Sequence, residues 1–492
     1  MSATNDLRHK ATSGVVWSAV QKVAVTAITF VSDIILARLL TPYDFGCIEM
    51  LVIFMLLAET IIHGGFGSAL IQKKRPTQED YSTVFFWNLG MSVLMYATLY
   101  WCAPFISRFY RIPILISVLR VQGLVLFLYA LNVVQYSILT KQFRFKAIAI
   151  VTIAANVTSF GVTLVMAYMG YGVWALVAKN LIATGLTTVI FWFYFKWRPR
   201  WTFSRKSFKE LFGFGFYMFL SNLVTSFSAK LQSMLIGRVY NPTTMGYYSK
   251  ASGTTGVASS TISQILDRVT FPLYAEAQDD LSRLGNIVKR LVLALAYVTF
   301  PLMFVMILVA KPMFVFLYSE KWLPSVPYFQ ILCIGGLATC LQSVNFYTIS
   351  AIGKSKVTFL WTMIKRGVGM LMIVGGMALF GMKGILAGAI CNEWFTYFVN
   401  MGLVSKYVGY KWYRQLIDLL PIVVNAIVCF VLSYVVVNMF EFDLYIDGGV
   451  KFLIYVILYI GFSVIVKQDA FIQFKDVMLP LLSKINFLNR IK

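Results

Sequence analysis

Five cations stand well inside segments that are otherwise apolar: Lys22, Lys179, Lys230, Lys365 and Arg366. A Lys or Arg at mid-bilayer costs about 2.5–3.5 kcal/mol on insertion scales, so five on lipid-facing surfaces would cost well over ~10 kcal/mol. They are expected to line a wet cavity or to form ion pairs between helices. Lys22, roughly two turns from its helix start, could also reach the interface. Arg120, Lys250 and Arg268 sit nearer segment ends, with Asp267 beside Arg268, and are expected to snorkel. The acids inside apolar segments are fewer: Asp33, Glu49, Glu59, Asp267 and Glu393. Asp33, Glu49 and Glu59 could take up a coupling proton or sodium ion, or balance nearby cations. The positive surplus suits an anionic ligand such as a phosphate or pyrophosphate better than a cationic drug.

Other chemistry is poorly supplied. The cysteines Cys47, Cys102, Cys333, Cys340, Cys391 and Cys429 all fall in apolar runs without a CxxC pair, and read as core thiols. With only His9 and His63 in the chain, a histidine-based metal site is not expected. Gly353-Lys354-Ser355 ends like a phosphate-binding loop, but Thr348 stands where that loop needs glycine. No HExxH or GxSxG is present, so no cofactor and no enzymatic activity is expected.

The elements that must position these residues are membrane helices. The chain has 492 residues, 59% hydrophobic and 13% charged, with a mean hydropathy of +0.75. At ~1.5 Å rise, a bilayer core about 30 Å thick takes about 20 residues per crossing, leaving room for roughly fourteen crossings and no large soluble domain. This excludes a cytosolic enzyme, a disordered chain and a secreted disulfide scaffold. Apolar runs predict helices near 14–38, 45–71, 82–107, 114–140, 146–168, 173–195, 211–239, 245–271, 287–310, 325–351, 357–380, 384–405, 417–440 and 450–467. Lys and Arg crowd into alternate loops, which places both termini in the cytoplasm and accounts for most of the net charge of +23 without nucleic acid. The polar start Met1–Ser13 leads into a run too long for a signal peptide, so the first helix is expected to be retained.

An internal repeat organises the chain. Arg38, Pro42 and Gly46 recur as Arg238, Pro242 and Gly246, an Arg-x3-Pro-x3-Gly turn displaced by 200 residues and six predicted helices. An even displacement keeps orientation, predicting parallel repeats: an N-lobe over 1–195 and a C-lobe over 211–405. A basic cytoplasmic linker, 196–210, joins them, with Trp197 and Trp201 at headgroup level. Two extra helices occupy 406–467, and an amphipathic tail, 468–492, is expected to lie on the inner leaflet. Arg38 and Arg238 could serve carbonyls at helix ends or touch a substrate at the outer rim. The hydroxyl-rich run 252–263 allows close packing or a wetted wall, Gly367, Gly369, Gly375 and Gly376 favour tight packing, and Pro301 predicts a kink.

The runs Ala37–Gly46, Ala69–Lys74, Tyr81–Trp87, Ala103–Tyr110 and Gly170–Val177 resemble the polysaccharide transporter branch of the multidrug/oligosaccharidyl-lipid/polysaccharide exporter superfamily. Within it, the likeness is to Wzx-type flippases related to colanic and teichuronic acid exporters. The resemblance implies two six-helix lobes around a central cationic cavity, with the last two helices forming a groove for a lipid tail. The implied cargo is an undecaprenyl-pyrophosphate-linked oligosaccharide, moved across the bacterial inner membrane for O-antigen, capsule or exopolysaccharide synthesis alongside the polymerase machinery. Lys22, Lys179, Lys230, Lys365 and Arg366 match the family's cavity cations by position and charge, although Lys lacks the bidentate fork of Arg. A cavity inside one chain needs no partner, so a monomer is the default. The rival readings are a multidrug exporter, a lipid II flippase and a membrane glycosyltransferase or polymerase.

Overall fold

The computed structural model describes residues 2–276, 280–466 and 468–474, without the side chains of 2–12, 15, 214–215, 217–218, 260–273, 275–276 and 355–356. These residues form helices and no strand. The order is α1 (Ser2–Leu39), α2 (Pro42–His63), α3 (Phe66–Gln72), α4 (Gln78–Tyr110), α5 (Leu115–Gln122), α6 (Val125–Lys141), α7 (Phe145–Tyr168) and α8 (Val173–Tyr194). There follow α9 (Arg205–Val239), α10 (Pro242–Glu276), α11 (Leu281–Leu308), α12 (Ala310–Tyr318), a 3₁₀ turn (Glu320–Ser325), α13 (Val326–Ala351), α14 (Ser355–Tyr407), α15 (Trp412–Asn438) and α16 (Leu444–Ile465). Among the described residues, eleven helical segments are long and apolar enough to cross a bilayer. α9 and α10, 35 residues each, are long enough but more polar.

Each predicted segment falls on a helix, and the departures have local causes. The predicted helix 45–71 begins earlier, at Pro42, because Thr41 and Asp44 form a capping box and proline suits the first helical position. It breaks into α2 and α3 at Gly64 and Gly65, whose φ values of 49° and 76° most side chains avoid. The segment 114–140 divides at Gly123 into α5 and α6. α12 and the 3₁₀ turn occupy what was expected as a loop. The end of the linker 196–210 is already helix, since Ser204 caps α9.

α14 is two antiparallel helices joined at Gly381, where φ is 58° and ψ −131°. Its arms approach so closely that a β-carbon on Gly376 would overlap the Gly384 carbonyl, and one on Gly384 the Gly376 carbonyl. Farther along, Gly388 meets the Met372 carbonyl in the same way, whereas Gly369 makes room for the Asn392 side-chain amide. Small residues let membrane helices pack backbone to backbone, where dispersion and weak polar contacts replace the hydrophobic drive that lipid removes.

The chain divides into two compact units, Met1–Gly246 and Tyr247–Lys492. In the first, α1 packs on α7, α7 on α8, α2 on α9 and α4 on α6. Phe66, Val84, Phe85, Val134 and Leu211 centre an aromatic core that Trp87, Trp192, Trp197 and Phe208 enclose. The linker is held to this unit: Trp197 Nε1 donates to Gln78 Oε1 at 2.8 Å, Ser204 N to Thr83 Oγ1 at 3.0 Å, and Lys73 bridges Asp80 and Glu210. Trp201 stacks on Phe86 with one face and is 93% exposed, as an interfacial anchor would be.

In the second unit, α13 packs on α14 and α11 on α13, and α15 and α16 dock on α11 and on each other. Tyr459 donates to the Tyr297 carbonyl at 3.2 Å, and Asn425 to Ser463 Oγ at 3.1 Å. At the start of the tail, the half-buried Phe471 and Phe474 rings lie 5.8 and 5.5 Å from the Tyr297 ring. The rest of the predicted tail, from 475, lies outside the described residues.

Candidate functional site

In the first unit, α1 and α8 bring Asp33 and Lys179 together, Nζ to Oδ1 at 2.8 Å, and α2 and α9 bring Glu49 and Lys230 together, Nζ to Oε1 at 2.7 Å. Every one of these side chains keeps 20–42% of its surface exposed. Each pair sets opposite charges in contact across two helices while part of the ammonium surface stays exposed to a competing anion. Lys22, on an exposed face of α1, meets no acid among the described residues. Glu59 pairs with no cation there. It borders a cavity of about 120 Å³ with Gln122, Tyr129 and Asn180.

Lys365 and Arg366 belong to the second unit. Lys365 is buried, donates to Asn400 Oδ1 at 2.6 Å and lies 5.7 Å from the Phe346 ring centroid. Arg366 is half-buried beside it. Glu393, on the other arm of α14, accepts from Gln342 at 2.7 Å and Thr339 at 3.1 Å.

Two of the cations expected to snorkel lie against aromatic rings. Lys250 is buried over the Tyr318 and Trp322 rings at 5.1 and 5.3 Å, and Arg120 covers the Tyr100 ring at 3.9 Å. An aromatic face offers a cation an electrostatic partner that does not require reaching water. The side chains of Asp267 and Arg268 lie outside the described residues. The hydroxyl-rich run of α10 is used for packing where described: Thr254, Thr255 and Ser259 are buried, with Thr254 Oγ1 2.9 Å from Tyr318 OH.

The repeated turn is built from reciprocal contacts. Thr41 caps α2 and Asn241 Oδ1 accepts from Thr244 N at 2.8 Å, so both copies start a helix with proline in its first turn. A β-carbon on Gly46 would overlap the Pro242 carbonyl, and one on Gly246 the Pro42 carbonyl. Arg238 lies 5.1 Å over the Phe109 ring, and Arg38 is exposed.

The largest departure from the sequence reading is a neutral cavity of about 530 Å³ among α2, α3, α6 and α9. Thr60, His63, Ser68, Tyr129, Asn132, Tyr136, Asn222, Thr225 and Ser226 are among its lining residues, and no Lys, Arg, Asp or Glu is. Tyr129 also borders the Glu59 cavity. Hydroxyl and amide groups with two tyrosine rings give paired donors and acceptors plus flat apolar faces, the means of holding a hydroxyl-rich, uncharged molecule. Charge-based reasoning passes over these residues. Their signal was available as spacing, since Tyr129, Asn132, Tyr136 and Ser137 fall on one face of α6.

Residues 35–327 match the model of a family described as polysaccharide biosynthesis protein. The chain is similar to a teichuronic acid biosynthesis protein of Bacillus subtilis (strain 168), 27% identical over 403 residues that cover 81% of each chain. It is also similar to a lipopolysaccharide biosynthesis protein of Escherichia coli (strain K12), 23% identical over 84% of each. Among solved structures, a lipid II flippase in an inward closed conformation superposes with a TM-score of 0.73 at 16% identity, covering 92% of this chain and 99% of that one. An inward-facing MATE-family multidrug transporter of the MOP superfamily gives 0.64 at 15% identity, covering 80% and 98%. These structural likenesses establish the fold.

Proposed function

This chain belongs to the polysaccharide biosynthesis protein family, and from that premise we propose that it is a flippase carrying undecaprenyl-pyrophosphate-linked oligosaccharide repeat units from the cytoplasmic to the periplasmic leaflet of a bacterial inner membrane. The observation that carries this reading is the neutral, hydroxyl- and amide-lined cavity bordered by α2, α3 and α6, which lie in segments apolar enough to span a bilayer, and by the more polar α9. A glycan crossing a bilayer must exchange its hydration for matching hydrogen bonds, and this lining supplies donors and acceptors for that exchange.

In this reading the sugars occupy that cavity while the pyrophosphate draws on the cations. Lys179 and Lys230 would each release an acid, Asp33 or Glu49, in favour of the incoming anion, and Lys22, Lys365 and Arg366 would add charge along the route. Asp33 and Glu49 then restore neutrality once the anion leaves, and Glu59 serves charge balance or ion coupling. Alternating access follows from two lobes, 1–195 and 211–405, rocking about their repeat, with fourteen crossings and both termini cytoplasmic. α15 and α16 would hold the polyprenyl tail against lipid. The protein moves its cargo without making or breaking a covalent bond, works as a monomer and hands the cargo to the polymerase machinery.

The test is deletion of the gene in its own bacterium, followed by assay of surface polysaccharide and of the sidedness of lipid-linked repeat units. Loss of the polymer with complete units held on the cytoplasmic leaflet is expected. Unchanged polymer with new sensitivity to cationic dyes would move the assignment to the multidrug branch.

A further inference from the structure

A second cavity of about 530 Å³ opens in the other unit, between the start of α11 and the turn joining α14 to α15. Its polar lining includes Asn286, Lys289, Tyr410, Lys411, Arg414 and Asp418. The one acid is already engaged. Lys289 Nζ reaches Asp418 Oδ1 at 3.0 Å and Tyr410 OH donates to Asp418 Oδ2 at 2.7 Å. Burial, and then the bond to Asp418, push the Tyr410 hydroxyl far above the ordinary tyrosine range, so it stays a donor. Lys411 and Arg414 are left exposed at the rim, facing the cavity with no acid partner among the described residues. The cavity therefore carries two uncompensated positive charges on a neutralised frame.

What lies beside it selects the kind of anion. Trp412 and Tyr413 are exposed next to the cations, as residues at headgroup depth are. Below them Ile417, Leu420, Val424, Val428 and Val431 run along one exposed face of α15. A cationic cleft continuous with an apolar track on the same helix matches a molecule with an anionic head and an acyl chain better than a soluble anion. Basic pockets between membrane helices on the cytoplasmic side hold acidic headgroups by this chemistry. We propose that the cleft between α11 and the α14–α15 turn binds the headgroup of an acidic phospholipid, with Lys411 and Arg414 on the phosphate and an acyl chain along α15. This site is separate from the neutral cavity of the first unit and does not depend on the identity of the cargo.

The experiment uses the full chain reconstituted in phosphatidylethanolamine vesicles with and without phosphatidylglycerol. The readouts are phosphatidylglycerol retained through detergent exchange, by native mass spectrometry, and the lipid-dependent rise in Tm. Lys411→Gln/Arg414→Gln is expected to weaken retention about tenfold to thirtyfold and to remove the rise, with Tm in lipid-free detergent unchanged. Lys206→Gln/Lys209→Gln, which removes the same charge elsewhere, should retain the lipid as the unaltered chain does. Equal loss in both variants would reduce the effect to general attraction for the leaflet and overturn the proposal. So would protection by inorganic phosphate alone, which would make this a soluble-anion site, or displacement of phosphatidylglycerol by undecaprenyl pyrophosphate, which would make it a cargo site.

Discussion

Lys230 and Glu49 pose the sharpest question about single residues, because one ion pair could be a structural brace, a cargo contact or both. A pair with 20–29% of each side chain exposed lies between surface bridges worth about 0–1 kcal/mol and buried ones whose rupture costs ~3–5 kcal/mol. Lys230→Gln alone should lower stability by about 1–2 kcal/mol, since Glu49 loses the Lys230 ammonium, and Glu49→Gln/Lys230→Gln should recover most of that in thermal unfolding. Glycan export should stay lost in the double variant if the ammonium meets the cargo. Export returning together with stability would leave the pair a brace. The neutral cavity gives the complementary prediction: Tyr136→Phe and Asn222→Leu each remove hydrogen-bonding capacity at its wall. Each should lower the export rate about tenfold, a loss of ~1.4 kcal/mol, with expression and Tm little changed. Normal export in both would move the glycan elsewhere.

Between helices, glycine decides which backbones can meet. Gly384→Ala places a β-carbon on the Gly376 carbonyl, and Gly46→Ala places one on the Pro242 carbonyl, so neither is relieved by turning a side chain. Each should cost ~3 kcal/mol or more, read as a fall in Tm and in yield of folded protein. Gly375→Ala is the control, because nothing lies within 4 Å of its added carbon and alanine favours a helix. It should be neutral or raise stability by up to ~1 kcal/mol. A similar loss at Gly375 and Gly384 would mean that the arms of α14 do not pack as described. The 200-residue repeat in the sequence identified Gly46 and Gly246 as equivalent, but not that each would touch the other's proline.

For the molecule as a whole, charge asymmetry between alternate loops yields the prediction that reporters fused to either end are active on the cytoplasmic side only. A periplasmic signal from one end alone would require an odd number of crossings. Composition, apolar periodicity and the repeat were enough to determine an all-helical membrane protein and to locate the helices, because the bilayer allows few ways to satisfy a buried backbone. They also isolated the ionised residues, since a charge is conspicuous in an apolar run. What needed the tertiary structure was partnership: that Asp33 meets Lys179 and Glu49 meets Lys230, that Lys250 ends over aromatic rings, and that α14 folds back on glycines. It also took the fold to gather Thr60, Tyr136 and Asn222 around one cavity. Spacing marks Tyr136 on one face of α6, but nothing within a single helix shows that Thr60 and Asn222 face it. Hydropathy is a property of one segment, whereas an ion pair or a cavity belongs to several helices at once, and only their packing brings together side chains more than a hundred residues apart.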